Sequence, residues 1–242
     1  MAVSAGPSPA AAELPSNAAI FSPAATVRHV EVDGLRVILD IKSGNYNTLD
    51  QIASALWAVL TGGSTSSEAF EKISREYNVD QALWNSELSS FAAKCEQQGL
   101  LIRGSSMNPS SAAPVSDRRP VKPSMWRAWL CLLKTHLALS RHGFEKIYTD
   151  CARISTTPAI QSLGAAVHAF RRAENFFVLR RAPDDCLVRS LALFRFLRSA
   201  GFAPKHVIAV SRYPFRAHAW VESHGVPLLD DSTHGFTPIA YL

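Results

Sequence analysis

Cysteine is scarce. There are four, at Cys95, Cys131, Cys151 and Cys186, and none sits in a CxxC pair. A disulfide scaffold and a cysteine-held zinc ion are both excluded by that spacing, and the expectation is a reduced, cytoplasmic protein. Long apolar runs are also missing. No stretch approaches the ~18 residues of a membrane span, and the N-terminus carries neither the basic nor the apolar part of a signal peptide. No GxxxxGK[ST] loop occurs, so no nucleotide site is legible. Basic residues are not interleaved with aromatics, which argues against nucleic acid as a partner. There is no internal repeat.

What is present is globular. Of 242 residues, 47% are hydrophobic and 19% charged, enough apolar material for a sizeable core. Charge is uneven. Residues 1–104 hold 7 Lys/Arg against 11 Asp/Glu, and residues 105–242 hold 18 against 9. The change of sign coincides with GSSMNPSSAAPVSDRRPVKPS, a Pro/Ser-rich stretch with no apolar period. The expected organisation is a disordered tail over 1–25, a first domain over 26–104, a linker over 105–124 and a second domain over 125–242. The Ala/Pro/Ser composition of the tail cannot bury enough surface to order itself.

In the first domain, residues 27–32 alternate as a strand, with Val27, His29 and Glu31 on one face and Arg28, Val30 and Val32 on the other. Asp33-Gly34 marks a hairpin turn, residues 35–41 a second strand and residues 46–49 a third. Three helices follow. The first runs from about 50 to 60. The second is capped by Ser66 or Ser67, with Phe70, Ile73 and Tyr77 on one stripe. The third is capped by Asp80, with Leu83, Leu88, Phe91, Ala92 and Cys95 facing inward. Such a unit has no catalytic constellation. Its asset is the open side of the third strand, to which an extended peptide can add. A groove for that peptide is expected from Asn45, Tyr46 and Thr48 on the strand and Leu88 and Phe91 on the third helix.

The segment VDGLRVILDIKSGNYNTLDQIASALWAVLTGG resembles the small winged-helix-like domain typified by pyrroloquinoline-quinone assembly protein D. The hairpin, the GxY turn and the Leu-Asp-x-Ile-Ala-x-x-Leu-Trp helix carry the likeness. It implies binding of the leader of a precursor peptide by strand addition beside the third strand.

In the second domain, residues 125–140 read as a strongly apolar helix, buried on several sides, and residues 143–154 and 158–177 as further helices. Pro183 and Asp184-Asp185 start another helix, with Cys186 in its first turn and Leu187, Leu191, Phe194 and Leu197 as its stripe. Backbone N–H groups at a helix start favour a thiolate and supply donors to an oxyanion. Two adjacent aspartates oppose the thiolate, so a histidine partner is required. Residues 206–212 and 217–223 read as strands, then His224-Gly225 as a turn and residues 226–230 as a third strand. His218, Trp220 and Glu222 share a face. In a tight hairpin Asp230, twelve residues after His218, returns beside it. A thiol, a base and an orienting acid are thereby available. Asp231 is the rival acid. His218, His224, Asp230 and His234 do not converge as a metal site, and no metal is expected.

This stretch resembles the transglutaminase-like (papain-like) cysteine proteases, and within them the B proteins of lasso-peptide biosynthesis. Cys186-Leu-Val-Arg-Ser-Leu-Ala-Leu, Gly201, His218-Ala-Trp-Val-Glu222, Gly225 and Asp230 carry the likeness. The resemblance implies an α+β protein, with a helical start and a C-terminal antiparallel sheet in the second domain. It makes Cys186 the nucleophile, His218 the base and Asp230 the orienting acid of a leader peptidase. It names two partners, the precursor leader and an asparagine-synthetase-like cyclase. The family's ATP dependence finds no site in this chain and is assigned to the cyclase; no cofactor is expected here. Two alternatives stay open: a transglutaminase-like acyltransferase, and a non-catalytic scaffold for the leader.

Overall fold

The computed structural model describes residues 21–104, 122–154, 162–176, 186–230 and 233–242. Residues 1–20 of the expected tail, most of the expected linker, the expected helix start at Pro183-Asp184-Asp185 and the rival acid Asp231 fall outside these ranges.

The fold is α+β. Strand β1 (Phe21–Pro23) lies inside the stretch expected to be a tail. It pairs antiparallel with β5 (Leu101–Arg103), a pairing the sequence reading missed. Strands β2 (Val27–Val32), β3 (Leu35–Asp40) and β4 (Asn45–Leu49) form an antiparallel sheet in that order. Helices α1 (Gln51–Leu60), α2 (Ser66–Tyr77) and α3 (Gln81–Gln97) follow. Asp50 and Asp80 cap α1 and α3 by accepting from Ala53 and Leu83 N–H. For α2 the cap is Thr65, not Ser66 or Ser67. Its hydroxyl and Glu68 form a reciprocal capping box that either serine would lack.

Two inward positions differ from expectation. Leu83 is 48% exposed, whereas Trp84 is 1% exposed. The buried stripe of α3 runs Trp84, Leu88, Ala92 and Cys95, and Leu83 stands one position off it. The Trp84 indole N–H also donates to Ser66 Oγ at 3.1 Å. Tyr77 is exposed, and its hydroxyl donates to Gln51 Oε1 across to α1; the inner stripe of α2 is Ala69 and Ile73.

The C-terminal region begins with α4 (Met125–Ala152), bent at Gly143, whose φ of 75° no helix accommodates. Ala128, Leu132 and Thr135 bury one stripe of its first half, while Trp126 is 69% exposed; one side of this segment is buried, not several. Helices α5 (Leu163–Asn175) and α6 (Cys186–Ser199) pack with it around Phe170, Leu191, Phe194 and Leu197. Strands β6 (Lys205–Ser211), β7 (Arg216–Ser223), β8 (Val226–Leu228) and β9 (Thr237–Tyr241) form one antiparallel sheet in the order β8-β7-β6-β9. Strand β9, unforeseen from the sequence, lies along the side of β6 opposite β7.

The two regions share a core. Alternation sends Val27, Ile38 and Leu49 toward α1–α3. It sends Val32, Val37, Leu39 and Ile41 the other way, against Ile208, Val210, Ala219, Ile239 and Ala240 of the second sheet. Arg212 donates to the Asp33 carbonyl at 2.9 Å, across the junction. The N-terminal sheet is therefore buried on both faces, and the two regions form a joint body.

Candidate active site

Cys186 is the first residue of α6, and it is half-buried. The other three thiols differ. Burial pushes Cys95 up to about 11 and Cys151 up to about 12, and it raises Cys131 too, whose Sγ donates to the Ala192 carbonyl at 3.3 Å. Those three are packing groups.

His218 lies on β7 opposite Ala209 of β6. Its ring stands 5.3 Å from Phe236 and 5.9 Å from Trp220, centre to centre. A carboxylate only accepts, so His218 Nε2–H donates to Asp230 Oδ2, at 2.8 Å. Asp230 also lines a small cavity with Cys186, Arg189 and Ala219. The structure thus joins His218 to Asp230, and Asp230 to the cavity of Cys186. His218 is not among the residues lining that cavity. Trp220, which shares the His218 face of β7, does line it, as do Ala219 and Val221 of the opposite face.

Asp230 reaches its place differently from the expected continuation of the hairpin. Pairing of β7 with β8 runs only from Val221–Leu228 to Ser223–Val226. Leu229 then adopts φ 59°, a left-handed conformation uncommon outside glycine, and swings Asp230 to the side of β7 that β8 no longer covers. Arg189, one turn into α6, fixes this bend. Its Nη2 donates to the Leu229 carbonyl at 2.6 Å, and its Nε pairs with Glu174 of α5. No motif in the sequence pointed to Arg189 or Glu174 as supports. Their partners lie 40 and 15 residues away, and only the folded chain brings them together.

A second histidine serves a different purpose. His206 is fully buried between β6 and α6. The Ser190 hydroxyl donates to the Leu187 carbonyl and so accepts from His206 Nε2–H at 2.9 Å. His206 Nδ1 has no partner among the described residues. Desolvation pushes the ring down to about 3, so it stays neutral.

The expected leader groove is divided. β4 pairs with β3 alone among the described strands, so its outer edge is open. Asn45 and Thr48 are exposed there. Leu88 is buried in the helical core and Phe91 packs partly against it. Tyr46 turns to the other face, where its ring meets Phe215 of the β6–β7 turn edge-on at 5.9 Å. Among the described residues no group of three or more His, Cys, Asp or Glu can hold a metal ion, and no helix is long and apolar enough to cross a membrane.

Comparison with known proteins matches residues 129–241 to the transglutaminase-like superfamily. It matches residues 36–101 to coenzyme PQQ synthesis protein D. No curated protein matches the chain. Among solved structures, "TbiB1 in Complex with the TbiA(beta) Leader Peptide" is 26% identical, covering 35% of this chain and 98% of that one at a TM-score of 0.30. "Lasso peptide synthetase B1 complexed with the leader peptide" is 20% identical, covering 35% and 99% at the same TM-score. The chain joins a PqqD-like region to a transglutaminase-like region, the two parts that its sequence led us to expect in this order.

Proposed function

We propose that this protein captures the leader of a ribosomally made precursor peptide on the open edge of β4 and cleaves the leader–core amide with Cys186. The observation that carries the catalytic half is the His218–Asp230 hydrogen bond beside the cavity that holds Cys186. The PqqD match and the unpaired edge of β4 support the docking half.

Asp230 takes up His218 Nε2, so Nδ1 is the nitrogen that accepts the thiol proton. The thiolate sulfur attacks the scissile carbonyl carbon. The C–N bond breaks, the core amine departs with the proton from His218, and the leader remains as a thioester on Cys186. Water, deprotonated by His218, attacks the thioester, releasing the leader carboxylate and restoring the thiol. Asp230 holds the imidazole tautomer and stabilises the imidazolium. The freed core amine is the group a partner cyclase needs to close a macrolactam.

The test is mass spectrometry of a synthetic precursor peptide, leader and core in one chain, translated from any short reading frame found adjacent to this gene. It is incubated with wild-type protein and with Cys186→Ala. A leader fragment and a free core from the wild type alone are expected. Equal cleavage by both proteins would remove Cys186 as nucleophile, and an amine-linked adduct in place of the two fragments would make the chain an acyltransferase.

A further inference from the structure

The open strand β4 and the thiol are expected to belong to different units, yet one side chain of β4 reaches the second unit. Tyr46 is half-buried and packs on the same apolar cluster as Cys186 and Leu187. That cluster is the shared core, built from β2 and β3 on one side and β6, β7 and β9 on the other. Tyr46 is held from two directions. Its ring meets Phe215 edge-on at 5.9 Å. The turn that precedes it lies against α4, where a Cβ on Gly44 would stand 3.9 Å from Phe144. Burial, and then the charge of Cys186 nearby, push the phenol up to about 12, so it stays protonated and neutral at working pH.

We propose that Tyr46 is a positioning residue of the peptidase site contributed by the leader-docking strand, holding the peptide segment that runs from β4 to the Cys186 thiol. The idea rests on the leader-peptidase reading above. Tyr46 stands near the start of β4. A peptide added antiparallel to β4 would carry its C-terminal end past that start, and so past Tyr46, before reaching Cys186. Its neighbours Asn45 and Asn47 are exposed on the docking side, while Tyr46 itself is directed inward. Docking and cutting would then be registered by adjacent residues of one strand, and the rigid shared core would set the distance between them.

Two probes separate this inference from the reading it rests on. The first needs no substrate: iodoacetamide alkylation of Cys186 in the full-length protein at pH 7, read by peptide mass spectrometry. Tyr46→Ala should uncover the thiol and speed its alkylation at least threefold, and Tyr46→Phe, which keeps the ring, should stay near wild type. Phe215→Ala, at a more exposed position, should move alkylation the same way by a smaller factor, and a thermal melt confirms that each variant is folded. The second probe is the synthetic precursor. Tyr46→Ala should lower kcat at least tenfold while leaving the leader dissociation constant within twofold, and Tyr46→Phe should restore most of kcat. Unchanged alkylation in folded Tyr46→Ala and Phe215→Ala would overturn the inference, as would a loss of leader affinity that accounts for the whole fall in cleavage. If the wild type fails to cut the precursor, the peptidase reading fails by itself, and the alkylation rates still decide whether Tyr46 covers the thiol.

Discussion

On β4, what is open to a partner is main chain: a strand paired on one side only, with Asn45, Asn47 and Thr48 pointing outward. Around β7, what is poised is side chain: an imidazole bonded to a carboxylate, with a thiol in the adjoining cavity. The two regions recognise in different currencies of structure. A strand edge reads backbone N–H and C=O groups, so it tolerates changes of side chain in its partner and fails when backbone donors are removed. A thiol–imidazole–carboxylate set tolerates change around it and fails when one atom is misplaced. The shared core of Val37, Leu39, Ile208 and Val210 keeps the two in fixed relation.

The sharpest break should come at the side chains. His218→Ala is expected to slow precursor cleavage on the order of 10³-fold, with leader affinity unchanged, as read by single-turnover kinetics and fluorescence anisotropy. A comparable fall in affinity would erase the distinction between the regions. The second histidine sharpens the same contrast, because it should affect folding and not catalysis. His206 sits near 3 in the fold, and the unfolded chain titrates near the usual 6.5. Below 6.5 the unfolded state therefore binds the extra proton, and stability falls as pH drops toward 3. Roughly 3 kcal/mol should be lost between pH 7 and pH 4 through this ring. Urea melts of His206→Phe should show that slope flattened; an unaltered slope would place the acid sensitivity elsewhere.

Arg189→Gln should come next. Freed from the Leu229 carbonyl and from Glu174, the bend that carries Asp230 loosens, and cleavage should fall roughly 30-fold in kcat with KM preserved. A change confined to KM would instead make Arg189 a substrate contact. The smallest effect belongs to the strand edge. A synthetic leader methylated at alternate backbone nitrogens should bind about tenfold more weakly, the loss of one or two net hydrogen bonds. Retained affinity would mean that side-chain pockets, not the edge of β4, capture the leader.

How much of this was legible in the sequence follows from the range of each interaction. The β2–β3 hairpin, the caps at Asp50 and Asp80, and the facing of Val27 against Val30 and Val32 depend on residues a few positions apart, and periodicity reveals them. The His224-Gly225 turn and the meeting of His218 with Asp230 were read the same way, although the route to Asp230 was misjudged. A register argument carries a strand straight on, and the left-handed Leu229 with its Arg189 support is a tertiary effect. Strands β1, β5 and β9 escaped notice because each is at most five residues long and gains its identity from a distant partner. Leu83 and Trp84 are both apolar and adjacent, so periodicity does not choose between them, and the stripe of α3 is resolved only by what packs on it. The shared core could not be read at all. An alternating strand shows that each face is apolar, and says nothing of which neighbour covers it.

The most direct test places binding and cleavage side by side in a single experiment. Wild-type protein, Cys186→Ala and Thr48→Pro, each shown to be folded by thermal melting, are given the same fluorescent synthetic precursor; anisotropy reports docking and mass spectrometry reports the cut. Thr48 is chosen because Asn47 bonds inward to Ile38 of β3, which leaves the Thr48 N–H on the open edge. The account predicts that Cys186→Ala binds as wild type does and yields no fragment, while Thr48→Pro binds weakly and cuts only in proportion to what it binds. Cleavage by Cys186→Ala, or full binding by Thr48→Pro, would contradict the claim that backbone docks the peptide in one region and side chains cut it in the other.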